Sequence, residues 1–135
     1  MRLALRRVLP VVLSLVLLIT LISCGNGNTG SARKDVTAVS GGGETRDTLS
    51  PAYFTGTAAK AYWVAKEIPE VLDSLHCYCE CKKNFGHKSL LTCYVDNHAQ
   101  RCGICQDEAF MAYDLYTKGH DIGFIRKAVD DRFSR

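Results

Sequence analysis

Residues 76–105 read HCYCECKKNFGHKSLLTCYVDNHAQRCGIC. Six cysteines and three histidines fall in these 30 positions, in the order His76-Cys77-Tyr78-Cys79-Glu80-Cys81, His87, Cys93, His98 and Cys102-Gly103-Ile104-Cys105. Alternate side chains of an extended segment point the same way, so this spacing predicts that Cys77, Cys79 and Cys81 converge on one point. Neighbours in that trio are poorly placed to bridge one another, because a disulfide needs Cβ atoms about 3.5–4.5 Å apart and a dihedral near ~90°. Cys102 and Cys105, three residues apart where a helix should begin, put both sulfurs on one face near the positive end of the helix dipole, where thiolates are favoured.

Sulfur interleaved with imidazole points to a soft metal. Cys77, Cys79, Cys81, His87, Cys93, His98, Cys102 and Cys105 are the candidate ligands, enough donors for two four-coordinate sites. Such a set suits zinc, copper or an iron–sulfur cluster and argues against magnesium or calcium, which take oxygen. Two other chemistries use the same residues. The C-x-x-C pair could attack and resolve disulfides, making the chain a thiol–disulfide oxidoreductase or thiol-handling protein, although no alternation of strands and helices of the thioredoxin kind surrounds it. In an oxidising compartment six cysteines could equally form three structural bridges, with fifteen possible connectivities, and leave a stapled structural or interaction module. Spacing alone does not choose, and the interleaved histidines favour the metal. His76 should face away from the trio, and His120 should sit exposed in a turn. No serine nucleophile or carboxylate pair suggests hydrolysis.

The flanks predict a mainly α fold. Upstream, the alanine-rich stretch 58–66 is helical, and Pro69 starts a second helix with Ile68, Val71, Leu72 and Leu75 on one stripe. Within the cluster a short helix is expected over 88–96. Downstream, a helix from Cys102 or Gly103 to Lys118 ends at Gly119, and a last helix runs from Ile122 to Phe133 with Asp121 as its N-cap. Ile122, Ile125, Val129 and Phe133 recur at helical steps, with Ala109, Phe110, Tyr113 and Tyr116 as the facing surface. The two helices should close an antiparallel hairpin. At 85 residues, 51–135 is small enough that staples commonly supplement the apolar core.

Further out, Arg2, Arg6 and Arg7 precede an apolar run from Val8 to Ile22. Its helix would span only about 22 Å, short of a hydrocarbon core of roughly 30 Å, so 1–23 reads as an export signal. Leu21-Ile22-Ser23-Cys24 is similar to the lipobox of bacterial lipoproteins. The expected lipidation site is therefore Cys24, where acyl chains would hold the chain to the extracytoplasmic side of a membrane in the bacterial cell envelope. Residues 24–50, rich in Gly, Ser, Thr and Asn, read as a flexible, disordered tether. Removing the signal takes away three arginines and no acids, leaving 14 basic against 14 acidic side chains. Nothing then supports a nucleic-acid partner.

From about Ala61 to Phe133 the sequence resembles a family of small bacterial lipoproteins with a P-C-Y-C-G-C or C-Y-C-x-C motif, on the strength of Cys77-Tyr78-Cys79-Glu80-Cys81, Gly86-His87-Lys88-Ser89-Leu90 and Cys102-Gly103-Ile104-Cys105-Gln106. His76 stands where the name expects proline, and Glu80 where it expects glycine. Some relatives carry selenocysteine in the motif, which implies that a soft, nucleophilic chalcogen has a chemical task there. The resemblance brings no settled biochemical activity. The last 34 residues are also similar to the thiol-bearing helical hairpins of cytochrome c maturation, which handle cysteine thiols.

Overall fold

The computed structural model describes residues 41–134, apart from the Cys81 side chain. The signal segment, Cys24 and the first part of the expected tether lie outside them. Among the described residues there are five α-helices and no strand, and no helix is long and apolar enough to cross a membrane.

Helix α1 spans Gly56–Glu67 and α2 spans Pro69–Asp73. Proline has no N–H and disfavours helical geometry in the residue before it, so the break falls at Ile68, whose φ of −131° and ψ of 51° leave the helical region. Ile68, Val71, Leu72 and Leu75 are all buried, as their spacing predicts. Tyr62 of α1 anchors the centre. Its ring stacks on Phe54 at 3.8 Å and meets Tyr94 edge-on at 5.1 Å, and its hydroxyl donates to the Asp96 carbonyl at 2.6 Å.

Helix α3 is the short Cys81–Phe85, α4 is Gly103–Thr117 and α5 is Ile122–Phe133. The last two form the expected hairpin. The left-handed Gly119, φ 94°, lets its own N–H reach Tyr116 O and that of His120 reach Leu115 O, the paired closure that ends many helices. Asp121 caps α5 by accepting from the Phe124 N–H at 2.9 Å. Ile122, Ile125 and Val129 are buried against Ala109 and Ala112. Tyr116, expected on the facing surface, is exposed: it lies on that stripe but beyond Ala112, in the last turn of α4. His120, expected in solvent, is half-buried and stacked on Phe124 at 4.2 Å.

Between α2 and α4 three expectations change. The helix read over 88–96 is only the 3-10 turn Leu91–Tyr94. Thr92 Oγ1 accepts from the N–H groups of Lys88 and Ser89, and such side-chain bonds compete with helix formation. A second 3-10 turn, His98–Arg101, leads into α4. The motif is not extended either. Tyr78 and Cys79 form a turn, and Glu80 sits at φ 66°, so the sulfurs are gathered by a tight turn and not by strand alternation.

The third change concerns the end of the expected tether. Residues 41–49 are docked on the domain: Gly42 N–H donates to Asp73 O at 2.6 Å and Leu49 N–H to Tyr94 O at 2.9 Å. Asp73 also accepts from the N–H groups of Gly43 and Glu44 and from the Ser89 hydroxyl at 2.7 Å. A Cβ on Gly42 would fall 2.6 Å from Ser89 Cβ, so glycine here permits close approach rather than supplying slack. The folded domain therefore begins upstream of Pro51.

Candidate metal centre

Each half of the cysteine cluster is delivered by a different device. Leu75, buried and bonded through its carbonyl to the Leu90 N–H at 2.9 Å, fixes the chain just before the motif turn. At the far side of that turn, Tyr78 donates its N–H to Glu108 Oε1 and its hydroxyl to Asp130 Oδ1, both at 2.8 Å. The motif is thereby tied to both helices of the hairpin. The opposing half comes from the start of α4. Tyr94 donates its hydroxyl to the Cys105 carbonyl at 2.7 Å, and Gln106 Nε2 donates to the carbonyls of Ala99 and Gln100, which holds the turn carrying His98 against the helix that carries Cys105 and has Cys102 as its N-cap.

The result is a close-packed set of donors. Ligand atoms of Cys79, His98, Cys102 and Cys105 lie within 4.8 Å of one another, and so do those of Cys77, Cys93 and Cys105. Cys79 Sγ is 3.6 Å from His98 Nε2, and Cys77 Sγ is 3.4 Å from Cys79 Sγ and 3.5 Å from Cys105 Sγ. A tetrahedral ion with bonds of about 2.0–2.3 Å sets its ligand atoms roughly 3.6–3.8 Å apart. The separations are thus already near what a single ion imposes. His87 Nδ1 approaches Cys93 Sγ at 3.2 Å, at the edge of the second group. Cys81 contributes backbone to α3, and its side chain lies outside the description. His76 is exposed, its ring edge-on to Tyr78, and belongs to neither group.

No disulfide joins two of the described cysteine side chains: Cys77, Cys93, Cys102 and Cys105 are thiols. Cys79 is disulfide-bonded, so its sulfur becomes a full metal donor on reduction. Three ordinary bridges across the cluster are not formed.

The two groups differ in surroundings. Cys79, His98 and Cys102 are half-buried and, with Asn97, Gln100 and Arg101, line an open cleft of about 530 Å³. Cys77, Cys93 and Cys105 are buried. Hydrogen bonds from Cys105 and Cys93 hold the Cys77 thiol down at about 3, so it is the thiolate of the buried group. The same contact with Cys77, then that with Cys93 and burial, pushes the Cys105 thiol far up. Burial, then the neighbouring His98, lowers the pKa of His87, leaving a neutral imidazole with a lone pair to donate.

Glu108 is the residue the sequence reading passed over. It is fully buried, with one oxygen on the Tyr78 N–H and the other, Oε2, without a hydrogen-bond partner. Burial and then the Cys77 charge raise its pKa to about 9, so it is an uncharged acid at neutral pH. The signal was present: Glu108 follows Cys105 by three residues, on the same helix face.

No curated protein and no solved structure matches the chain. A family model does, over residues 12–135, and its description carries the motif that the turn at 77–81 realises with Glu80 in the glycine position. The chain belongs to the family of proteins of unknown function with a PCYCGC motif.

Proposed function

We propose that this protein is an envelope lipoprotein, anchored through Cys24 on the extracytoplasmic side of a bacterial membrane, whose domain binds a soft metal ion through Cys79, His98, Cys102 and Cys105. The observation that carries the reading is the convergence of one imidazole and three sulfurs within 4.8 Å. Three sulfurs with one nitrogen is a common zinc set and is also acceptable to Cu(I). Donors this close surround a single ion better than an iron–sulfur cluster, whose inorganic core holds its thiolates farther apart.

The cleft gives the role its direction. Three of the four donors border solvent, so an ion there is reached and released without unfolding, as capture or delivery of metal requires. An oxidoreductase using Cys102 and Cys105 fits less well: Cys105 is buried and its thiol pushed far up, which makes it slow to resolve a mixed disulfide.

The test is the full mature chain, reduced and kept from oxygen, exposed to zinc and dialysed against metal-free buffer. Elemental analysis should find at least one zinc per chain, with Cys102 protected from alkylation. A reduced protein that retains no metal and alkylates fully would overturn the reading. Cys24→Ser should move the protein from the membrane fraction to the soluble one, and retention in the membrane would count against the anchor.

A further inference from the structure

Two donor groups share one residue. Cys105 completes the open group with Cys79, His98 and Cys102, and also the buried group with Cys77 and Cys93. We propose that Cys105 is a bridging thiolate and that the protein carries two soft ions in one cluster, an exchangeable ion at the cleft and a retained ion in the core. This rests on the reading of the open group as a soft-metal site and adds the second ion and the shared sulfur.

Geometry favours sharing over two separate sites. Cys105 Sγ lies 3.5 Å from Cys77 Sγ and 3.5 Å from Cys79 Sγ, in contact with a member of each group, and it alone belongs to both. Cys93 Sγ, 3.5 Å from Cys77 Sγ, closes the inner triangle. With metal–sulfur bonds of about 2.3 Å on each side of one sulfur, the ions would stand roughly 3–4 Å apart. A position for the inner ion's fourth donor is supplied from either of two sides. His87, buried, has Nδ1 3.2 Å from Cys93 Sγ. Glu108, fully buried, keeps Oε2 without a hydrogen-bond partner beneath the same turn.

Charge points the same way. Buried thiolates are costly unless a cation neutralises them. Five thiolates, from Cys77, Cys79, Cys93, Cys102 and Cys105, meet two divalent ions with only one negative charge left over. A single ion at the cleft would leave the sulfurs of Cys77 and Cys93 packed against its back without a cation of their own.

Cobalt(II), a paramagnetic stand-in for zinc, separates these cases. The full mature chain, reduced and anaerobic, is titrated with Co(II) while bound metal, thiolate-to-metal absorption and the electron paramagnetic resonance signal are followed. The expected result is two cobalt ions per chain, a signal that grows with the first ion and collapses with the second as their spins pair through the common sulfur, and Cys77 and Cys93 protected from alkylation only after the second. Cys102→Ser should then release the outer ion and keep one uncoupled cobalt, whereas Cys93→Ser should keep the outer ion alone. Binding that stops at one ion with Cys77 and Cys93 still reactive would overturn the bridge and leave the open site standing. Two ions with additive signals would overturn it as well. No bound cobalt would end both readings.

Discussion

The hairpin and the loop-rich segment between α2 and α4 are of similar length, and their backbones are satisfied by different means. In α4 and α5 the backbone satisfies itself, and the helices meet through Ala109, Ala112, Ile122, Ile125 and Val129. From residue 74 to 102 there are only one five-residue helix and two 3-10 turns. That segment is fixed by side chains reaching across it: Asp73 to Ser89, Gln106 to Ala99 and Gln100, Tyr94 to Cys105, and the sulfurs to one another. Both regions bury apolar side chains, Leu90, Leu91, Tyr94 and Ala99 in the segment, but only in the segment does a side-chain network position the turns. Because the core also runs through α1, α2, α4 and α5, an ion at the cleft should exchange without loss of the fold.

The sharpest break of the comparison is a cavity in the hairpin. Ile125, fully buried, should cost about 3 kcal/mol when replaced by alanine, within the usual 2–5 kcal/mol for such truncations. Denaturant unfolding should show that loss while zinc stoichiometry per folded chain stays unchanged. Lost metal at unchanged stability would mean that the two regions are not separable.

Asp73 is the corresponding test of the segment. Its carboxylate gathers two N–H groups of residues 43–44 and the Ser89 hydroxyl, and bonds to a charged acceptor contribute about 1.5–3 kcal/mol net, less where water competes, as at the exposed Gly43 bond. Asp73→Ala should lower stability by about 2 kcal/mol and speed amide exchange at Gly43 and Glu44, with exchange in α5 unaffected. Accelerated exchange throughout the hairpin would contradict local control.

A third prediction separates the regions by pH. Glu108 has a folded pKa of about 9 against an ordinary 4.5, so between those values the native state holds the extra proton and stability falls as pH rises. Cys77 has a folded pKa of about 3 against an ordinary 9, so there the unfolded state holds the extra proton and stability rises with pH. From about pH 7 to 8, above the range in which the lowered His87 pKa adds a rising slope of its own, the two slopes oppose each other, and the metal-free reduced protein should be nearly pH-insensitive there. Glu108→Gln keeps an oxygen for the Tyr78 N–H and removes the falling slope. Stability should then climb with pH, by up to about 1.4 kcal/mol per unit. A flat profile in the variant would show that the Cys77 thiolate is not held as the geometry implies.

The same division explains how much the sequence revealed. The hairpin was legible because its evidence is local: apolar steps of three and four, glycine after the last turn, aspartate before the next. The segment was legible in chemistry but not in shape, because its turns depend on partners far along the chain, such as Asp73 for Ser89 and Gln106 for Ala99. The triple glycine at 41–43 read as slack because composition does not distinguish a flexible glycine from one that must fit 2.6 Å from a neighbouring Cβ. Of the eight expected ligands, the structure brings Cys77, Cys79, Cys93, His98, Cys102 and Cys105 into two groups and places His87 beside Cys93. Which sulfur the groups share could not be read from spacing, since it depends on where the first turn of α4 meets the motif turn.

The smallest effect concerns that turn. Glu80 is the one described residue other than glycine with a positive φ, 66°, a conformation that costs an L-residue roughly 1 kcal/mol and glycine almost nothing. The family description names glycine at this place in its motif, and the backbone supplies the reason. Glu80→Gly removes the strain but also frees the unfolded chain, so the net gain should be about 0.5 kcal/mol. The side chain gives up little, since Glu80 and Lys83 are exposed and 3.9 Å apart. Thermal unfolding of the metal-free protein should shift upward slightly, and the gain should vanish in Glu80→Ala, which lacks the side chain but keeps the strain. If alanine stabilises as much as glycine, the carboxylate is what burdens the turn, and the left-handed backbone is not the reason that the family motif has glycine there.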